Sequence, residues 1–372
     1  MRIVITGGLG FIGSRLAGHL LALGHDVILL DSLTSQIHGD IPETTPPEGA
    51  RVVRLDVRDI ASRPELLEGC DAVYHLAAET GTAQSMYQIA HYVGVNELGT
   101  AALLESIAKC RVGPRQVILA SSRSVYGEGA YRSPRAPTHV VQPAPRTREQ
   151  LVAGVWQPLG LDGEPLEALP TPESLPFAPG SVYAATKASQ ELLLNSAALA
   201  LGFRSTVFRF QNVYGEGQSL QNPYTGIISI FFNRARQGLD IPIYEDGLES
   251  RDFVHVADIV SALANALGAE LPPGTAINLG AGTATSVLAL AQGLLTAAGL
   301  NTPVRITGQF RVGDIRHCYA DLTLAERLLG YRPQVTLDAG LRRFCAWART
   351  QPIHEDRSAV ATAELRAKGL TN

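Results

Sequence analysis

The chain carries little cysteine and almost no lysine. Its four cysteines, Cys70, Cys110, Cys318 and Cys345, lie far apart and form no CxxC pair. That excludes a disulfide framework and a structural zinc site, and it fits a reducing, cytoplasmic compartment. No apolar run reaches the roughly 18 residues of a membrane span, so none is expected. Positive charge is not in excess either. The 31 basic and 35 acidic residues leave a net charge of −4, which indicates neither nucleic acid nor an anionic membrane as a partner. MRIVIT at the start already reads as a strand, so no cleavable leader is expected. Internal repeats are absent. Only three of the basic residues are lysines: Lys109, Lys187 and Lys368.

What is present is a chain of 372 residues, 45% hydrophobic and 18% charged, enough for a sizeable core in two domains or one elaborated α/β unit. β-rich runs (RIVIT, HDVILLD, RVVRLD, AVYHLAA, QVILASS) alternate with helical patterns, among them a long one over roughly 86–110. This rhythm predicts an α/β fold with a doubly wound parallel sheet of Rossmann type. Residues 128–180 break it; they are rich in proline and are expected to be an irregular insert, either functional or disordered. A helix over 181–201 and the strand STVFRF resume the pattern. Shorter mixed elements follow, with helices near 225–237, 256–267, 287–298 and 337–349. The expected organisation is a nucleotide-binding domain over 1–212, a smaller mixed α/β substrate cap over 213–350, partly interleaved with the sheet, and a charged helix or tail over 351–372.

TGGLGFIG, Thr6–Gly13, follows the first strand and opens the first helix. Gly7 and Gly10 permit a tight turn and close approach of a pyrophosphate. Gly13 lets the helix pack on the strand, and the first-turn amides at Phe11, Ile12 and Gly13 offer donors in a positive potential. Asp31 ends the second strand, followed by Ser32. A carboxylate there accepts from ribose hydroxyls and repels a 2′-phosphate, favouring NAD over NADP; the plainer reading is a turn cap. Asp56 and Val57 end the third strand, where a carboxylate meets an adenine amino group or simply begins a turn. HLAA then closes the fourth strand with small residues, Leu76, Ala77 and Ala78, suited to a cofactor lying against the backbone. Its histidine, His75, reads as a packed core residue. Asn96 completes the expected cofactor set.

At the other end, SVYAATKAS places Tyr183 and Lys187 one helical turn apart on one face. A phenol with an ordinary pKa of about 10 is a poor base at neutral pH. A neighbouring ammonium stabilises its phenolate and makes proton abstraction feasible. Ser122 ends the fifth strand, where open α/β sheets bind ligands, and can share a proton with a substrate hydroxyl and Tyr183, or cap its own turn. Arg123 follows it. Because side chains alternate along a strand, Arg123 is expected to point away from Tyr183 or toward the insert, in a structural role rather than in direct contact with the substrate.

TGGLGFIG, Asp31, HLAA, SSRSVYG, YAATK and RFQNVYG, in that order, resemble the extended short-chain dehydrogenase/reductase family, in its group of nucleotide-sugar epimerases and dehydratases. The resemblance implies NAD as cofactor and Tyr183, Lys187 and Ser122 as catalytic residues. It also implies a nucleotide-sugar substrate held by Thr80, Ser122, Asn212, Arg251, Arg311 and Asp314, and a homodimer paired through the helices that hold Asn96–Cys110 and Tyr183. The dehydratases of this group carry Asp-Glu after the catalytic serine; Arg123-Ser124 here argues against water loss. The motifs most resemble the dTDP-L-rhamnose 4-epimerase subgroup, which interconverts that sugar and dTDP-6-deoxy-L-talose through a 4-keto intermediate. Epimerases of UDP-hexoses or UDP-hexuronates, 4-ketosugar reductases or dehydrogenases, and a non-catalytic NAD-binding protein remain as alternatives. The insert holds His139 but no cysteine, and no metal is expected.

Overall fold

The computed structural model describes residues 1–39, 45–222, 224, 226–356 and 358–371. Seven parallel strands form the main sheet: β1 (Arg2–Thr6), β2 (Asp26–Asp31), β3 (Arg51–Arg54), β4 (Ala72–His75), β5 (Gln116–Ser122), β6 (Arg204–Phe210) and β7 (Thr275–Leu279). Their spatial order is β7-β6-β5-β4-β1-β2-β3, so the chain reverses direction between β1 and β4 and opens a crevice at their carboxyl ends. Thr6 pairs with His75 there, and Ser122 with Phe210. Ile3, Val4 and Ile5 are wholly buried, as continuous apolar strands must be when both sheet faces are covered.

One face is covered by α1 (Phe11–Ala22) through Leu16, Ala17 and Leu20, together with the helix Val256–Asn265. The other is covered by α2 (Gly99–Lys109) and α3 (Val182–Leu201) through Leu103, Ile107, Leu194 and Ala198. Local signals set the ends of α3. The Ser181 hydroxyl accepts from the Ala184 amide at 3.1 Å, and Gly202 takes φ 73°, the left-handed conformation that glycine adopts without steric cost. The helix expected over roughly 86–110 is broken near its start. It comprises Ile89–Tyr92, a π-helical stretch Val93–Leu98, and then α2.

A separate apolar core, including Phe231, Phe232, Leu290, Leu294 and Phe344, joins the elements after Val213. β7 nevertheless returns from that region to the main sheet. The helix expected near 225–237 spans Ile227–Arg236, and Thr225 lies outside the described residues.

The expectation of an irregular insert is corrected. Tyr131–Ser133, Ala136–Val141 and Glu167–Ala168 form a small antiparallel sheet. Buried charge anchors the segment: Arg146 meets Glu128 at 3.3 Å and Glu245 at 2.9 Å, and Arg316 meets Glu245 at 2.8 Å and Asp246 at 2.7 Å. The C-terminal segment forms the helix Ser358–Ala367, whose Glu364 accepts from the hydroxyls of Tyr87 at 2.9 Å and Tyr224 at 2.7 Å. Among the described residues no helix is long and apolar enough to cross a membrane.

Candidate active site

A cavity of about 1150 Å³ runs along the carboxyl ends of the sheet, large enough for a dinucleotide and a second ligand. Its nucleotide end is built on the turn between β1 and α1. Gly7 takes φ +67°, and a Cβ there would lie 2.8 Å from the Ala77 nitrogen. A Cβ on Gly13 would lie 2.3 Å from the Gly7 carbonyl oxygen. Only glycine allows the turn to close this tightly over the exit of β4. Gly10, Phe11, Ile12, Ser32, Asp56, Val57, Leu76, Ala77, Ala78 and Thr80 all lie on the cavity wall.

Asp31 is on that wall, 8% exposed, and its carboxylate accepts from the Leu9 amide at 2.9 Å and the Leu33 amide at 2.8 Å. Each oxygen keeps a lone pair for a ribose hydroxyl. Turn-capping and ligand-binding readings of Asp31 are thus compatible. Glycine turn, helix N-terminus and anionic strand end together fit NAD. Asp56 is already paired with Arg58, at 2.9 and 2.6 Å, and this bond holds its carboxyl below the usual range. Asn96 is placed otherwise than expected. It is fully buried off the cavity wall, its Oδ1 accepting from the Glu79 amide at 2.9 Å and its Nδ2 donating to the Glu79 carbonyl and to Thr186. Its place is behind the β4 exit, which it braces. His75 is buried, bonded through Nδ1 to Thr6 at 2.8 Å and through Nε2 to Thr100 at 2.9 Å; burial pushes it down to about 3 and keeps it neutral.

At the reacting end Tyr183 is 9% exposed. Burial raises its phenol, while a hydrogen bond with Ser122 and the charge of Arg123 pull it down. The Ser122 Oγ accepts from the Ser124 amide at 3.2 Å, which leaves its O–H free to donate to the phenol oxygen. Lys187 lies one turn along α3, its Nζ 6.0 Å from the Tyr183 ring centre and 2.8 Å from the Ala120 carbonyl. Burial pushes it down to about 7, opposed by Glu191 on the next turn. Glu191 is in turn held by Arg209 at 2.8 Å and by the Ser121 hydroxyl at 2.5 Å.

The expectation for Arg123 is overturned. Its side chain lines the cavity beside Ser122 and Tyr183, and its Nε donates to Asn212 Oδ1 at 3.1 Å. The strand ends at Ser122 and the chain turns at once into a 3-10 turn over Arg123–Tyr126, so strand alternation no longer governs residue 123. Of the residues expected at the substrate, Thr80, Ser122 and Asn212 share the main cavity. Arg311 and Asp314 line a small adjoining hollow beside Thr82, with Arg311 stacked 4.8 Å over Tyr244. Arg251 lines neither, and donates to the carbonyls of Ser250, Ile315 and Arg316. Tyr224, not among the expected site residues, lines the cavity from the cap; its signal in the sequence is the polar and aromatic run QNPY.

Residues 3–149 and 162–280 match the NAD dependent epimerase/dehydratase family. A dTDP-L-rhamnose 4-epimerase of Burkholderia thailandensis is 38% identical over 349 residues, covering 93% of this chain and 94% of that protein. The UDP-glucose 4-epimerase of Thermotoga maritima, solved with UDP-glucose, superposes with a TM-score of 0.76 at 29% identity, covering 94% of this chain and 99% of that one. MoeE5, solved with UDP-glucuronic acid and NAD, superposes with a TM-score of 0.75 at 28% identity over the same shares. With a glycine turn, an acidic second-strand end and a Ser–Tyr–Lys site on one parallel sheet, this chain belongs to the NAD dependent epimerase/dehydratase family, and NAD is its cofactor.

Proposed function

We propose that this protein is a 4-epimerase of nucleotide-diphosphate hexoses that interconverts dTDP-L-rhamnose and dTDP-6-deoxy-L-talose. One observation carries the reaction: Ser122, Tyr183 and Lys187 converge on the cavity that the dinucleotide turn opens. Tyr183 takes the proton from O4 of the sugar and later returns one to the opposite epimer. Ser122 donates to the phenolate oxygen and relays the proton, and the Lys187 ammonium stabilises the anion. When bound, NAD accepts the C4 hydrogen with its electron pair and gives it back. Asn212 faces the sugar nucleotide in the main cavity, and Arg311 and Asp314 meet its far end from the adjoining hollow, while Arg251 holds the Ile315–Arg316 backbone behind them. The choice of sugar is supported by the 38% identity to the Burkholderia thailandensis enzyme, and Arg123-Ser124 supports epimerisation over dehydration.

A homodimer belongs to the same proposal. Leu98 is 58% exposed beside α2, and on α3 Leu192 is 58% and Leu199 93% exposed, an apolar surface suited to a four-helix contact. A monomer by light scattering at micromolar concentration counts against it. Cytoplasmic location is proposed on the four unpaired cysteines. The substrate is tested by incubating the protein with dTDP- and UDP-linked hexoses and reading products by proton NMR. The expected result is turnover of dTDP-L-rhamnose to its C4 epimer and little of the UDP-sugars. Preference for a UDP-hexose or UDP-hexuronate overturns the sugar, and net oxidation or reduction overturns the reaction.

A further inference from the structure

We propose that Arg123 is a positioning residue of this site, setting the charge that the Tyr183 phenol meets and the orientation of the Asn212 amide. The inference rests on Tyr183 as the base and deepens that reading.

An arginine has hydrogen-bond donors and no acceptor. The Asn212 atom 3.1 Å from Arg123 Nε must therefore be Oδ1, and what Asn212 has left for a ligand is its NH₂ group, a donor suited to a phosphate or hydroxyl oxygen. Without Arg123 the carboxamide is free to turn over and present an acceptor.

Arg123 donates to Asn212 with the Cys318 thiol nearby, and no carboxylate pairs with it among the described residues. Arg251 faces it as a like charge, and Asp314 and Asp252 are the acidic groups nearby. The Asp252 carboxylate is occupied by the amides of Ala281 at 2.6 Å and Gly282 at 2.9 Å. Facing the phenol are Ser122 from the end of β5, Arg123 from the turn that follows it, Lys187 from its own helix, and Tyr92 from the helical segment Ile89–Tyr92. Of the two cations, Lys187 is pushed by burial to about 7 and loses its proton near neutrality; burial, and then Arg251, also lower the Arg123 guanidinium, but from so high a starting value that it keeps its proton where the lysine does not. Arg123 is the constant part of the field on Tyr183, and the bond to Asn212 keeps that charge in place.

The test compares Arg123→Gln, Arg123→Lys, Asn212→Ala and Tyr183→Phe, with bound NAD and thermal melting as fold controls. For Arg123→Gln the phenol should be harder to ionise, so the acidic limb of kcat should move up by about one pH unit, a loss of about tenfold on that limb. KM should rise several-fold. Arg123→Lys keeps the charge and should hold the limb within about 0.3 pH unit of wild type. Asn212→Ala should raise KM without moving the limb. A purely structural role would lower NAD content or melting temperature and leave the limb in place, and that result overturns the proposal. So does a limb in Arg123→Lys displaced as far as in Arg123→Gln. If Arg123→Gln fails to retain NAD, the Arg123→Lys limb and the Asn212→Ala KM decide alone. Retained turnover in Tyr183→Phe, by contrast, would refute the base itself.

Discussion

Replacing Glu191 with glutamine tests how the active-site helix is held. The Glu191 carboxylate is 2% exposed and its partner Arg209 5%. Arg209 donates to it through Nε at 3.0 Å and Nη2 at 2.8 Å, and through Nη1 to the Tyr126 hydroxyl and the Glu173 carbonyl. Its guanidinium also lies 4.9 Å from the Tyr126 ring and 5.0 Å from the Phe177 ring. One ion pair thus joins α3 to β6, with the end of β5 tied in through Ser121 and the end of the insert through Glu173. Breaking a buried pair costs about 3–5 kcal/mol, because the remaining charge is left uncompensated. Glutamine retains one acceptor, so the lower end, about 3 kcal/mol, is expected. In a chain of this length that is a fall in Tm of about 4 °C. Glu191→Gln with Arg209→Met removes both charges and should recover most of the loss in urea or thermal unfolding. Glu191 also supports the charge on Lys187, so the single variant should lose activity at a lower pH on the alkaline side. A cost below about 1 kcal/mol, or a double variant no better than the single, would refute the reasoning.

Gly13→Ala should express and fold but lose bound NAD, since its Cβ falls 2.3 Å from the Gly7 oxygen; NAD content after acid extraction reads this directly. Tyr183→Phe should keep NAD and lower turnover by roughly 10²–10⁴, the range for a positioned acid–base group. Burial pushes Glu249 up to about 7, and its Oε2 has no hydrogen-bond partner among the described residues. The folded state therefore binds this proton more tightly than the unfolded chain, and stability falls as pH rises from the ordinary carboxylate range toward 7. Glu249→Gln should stabilise the protein by about 1–3 kcal/mol at pH 8 and little at pH 5, in unfolding titrations at both values.

The sheet and the two ends of the site were legible because their signals are local. A strand, a glycine turn and a helix start fall within Arg2–Gly13, and Tyr183 and Lys187 need only helical spacing to meet. β7 was missed: TAINL is five residues long, with no period to separate it from a loop. Order in the insert depends on Arg146 finding Glu245, 99 residues away, and no local pattern announces such a pair. Arg123 was misplaced because pleat alternation was carried one residue beyond the strand. Asn96 was read as a cofactor contact, but its position in a π-helical stretch turns it toward the Glu79 backbone.

The central claim is that the hydrogen on C4 leaves and returns to the same sugar on the opposite face, with no other carbon deprotonated. Incubating the purified protein with dTDP-L-rhamnose in D₂O, with no cofactor added, and following both epimers by proton NMR tests it most directly. The account predicts an equilibrium mixture of the two C4 epimers with protium retained at C3, C4 and C5. Deuterium entering at any of these carbons, or no reaction until stoichiometric NAD or NADH is supplied to protein that already carries NAD, would contradict it.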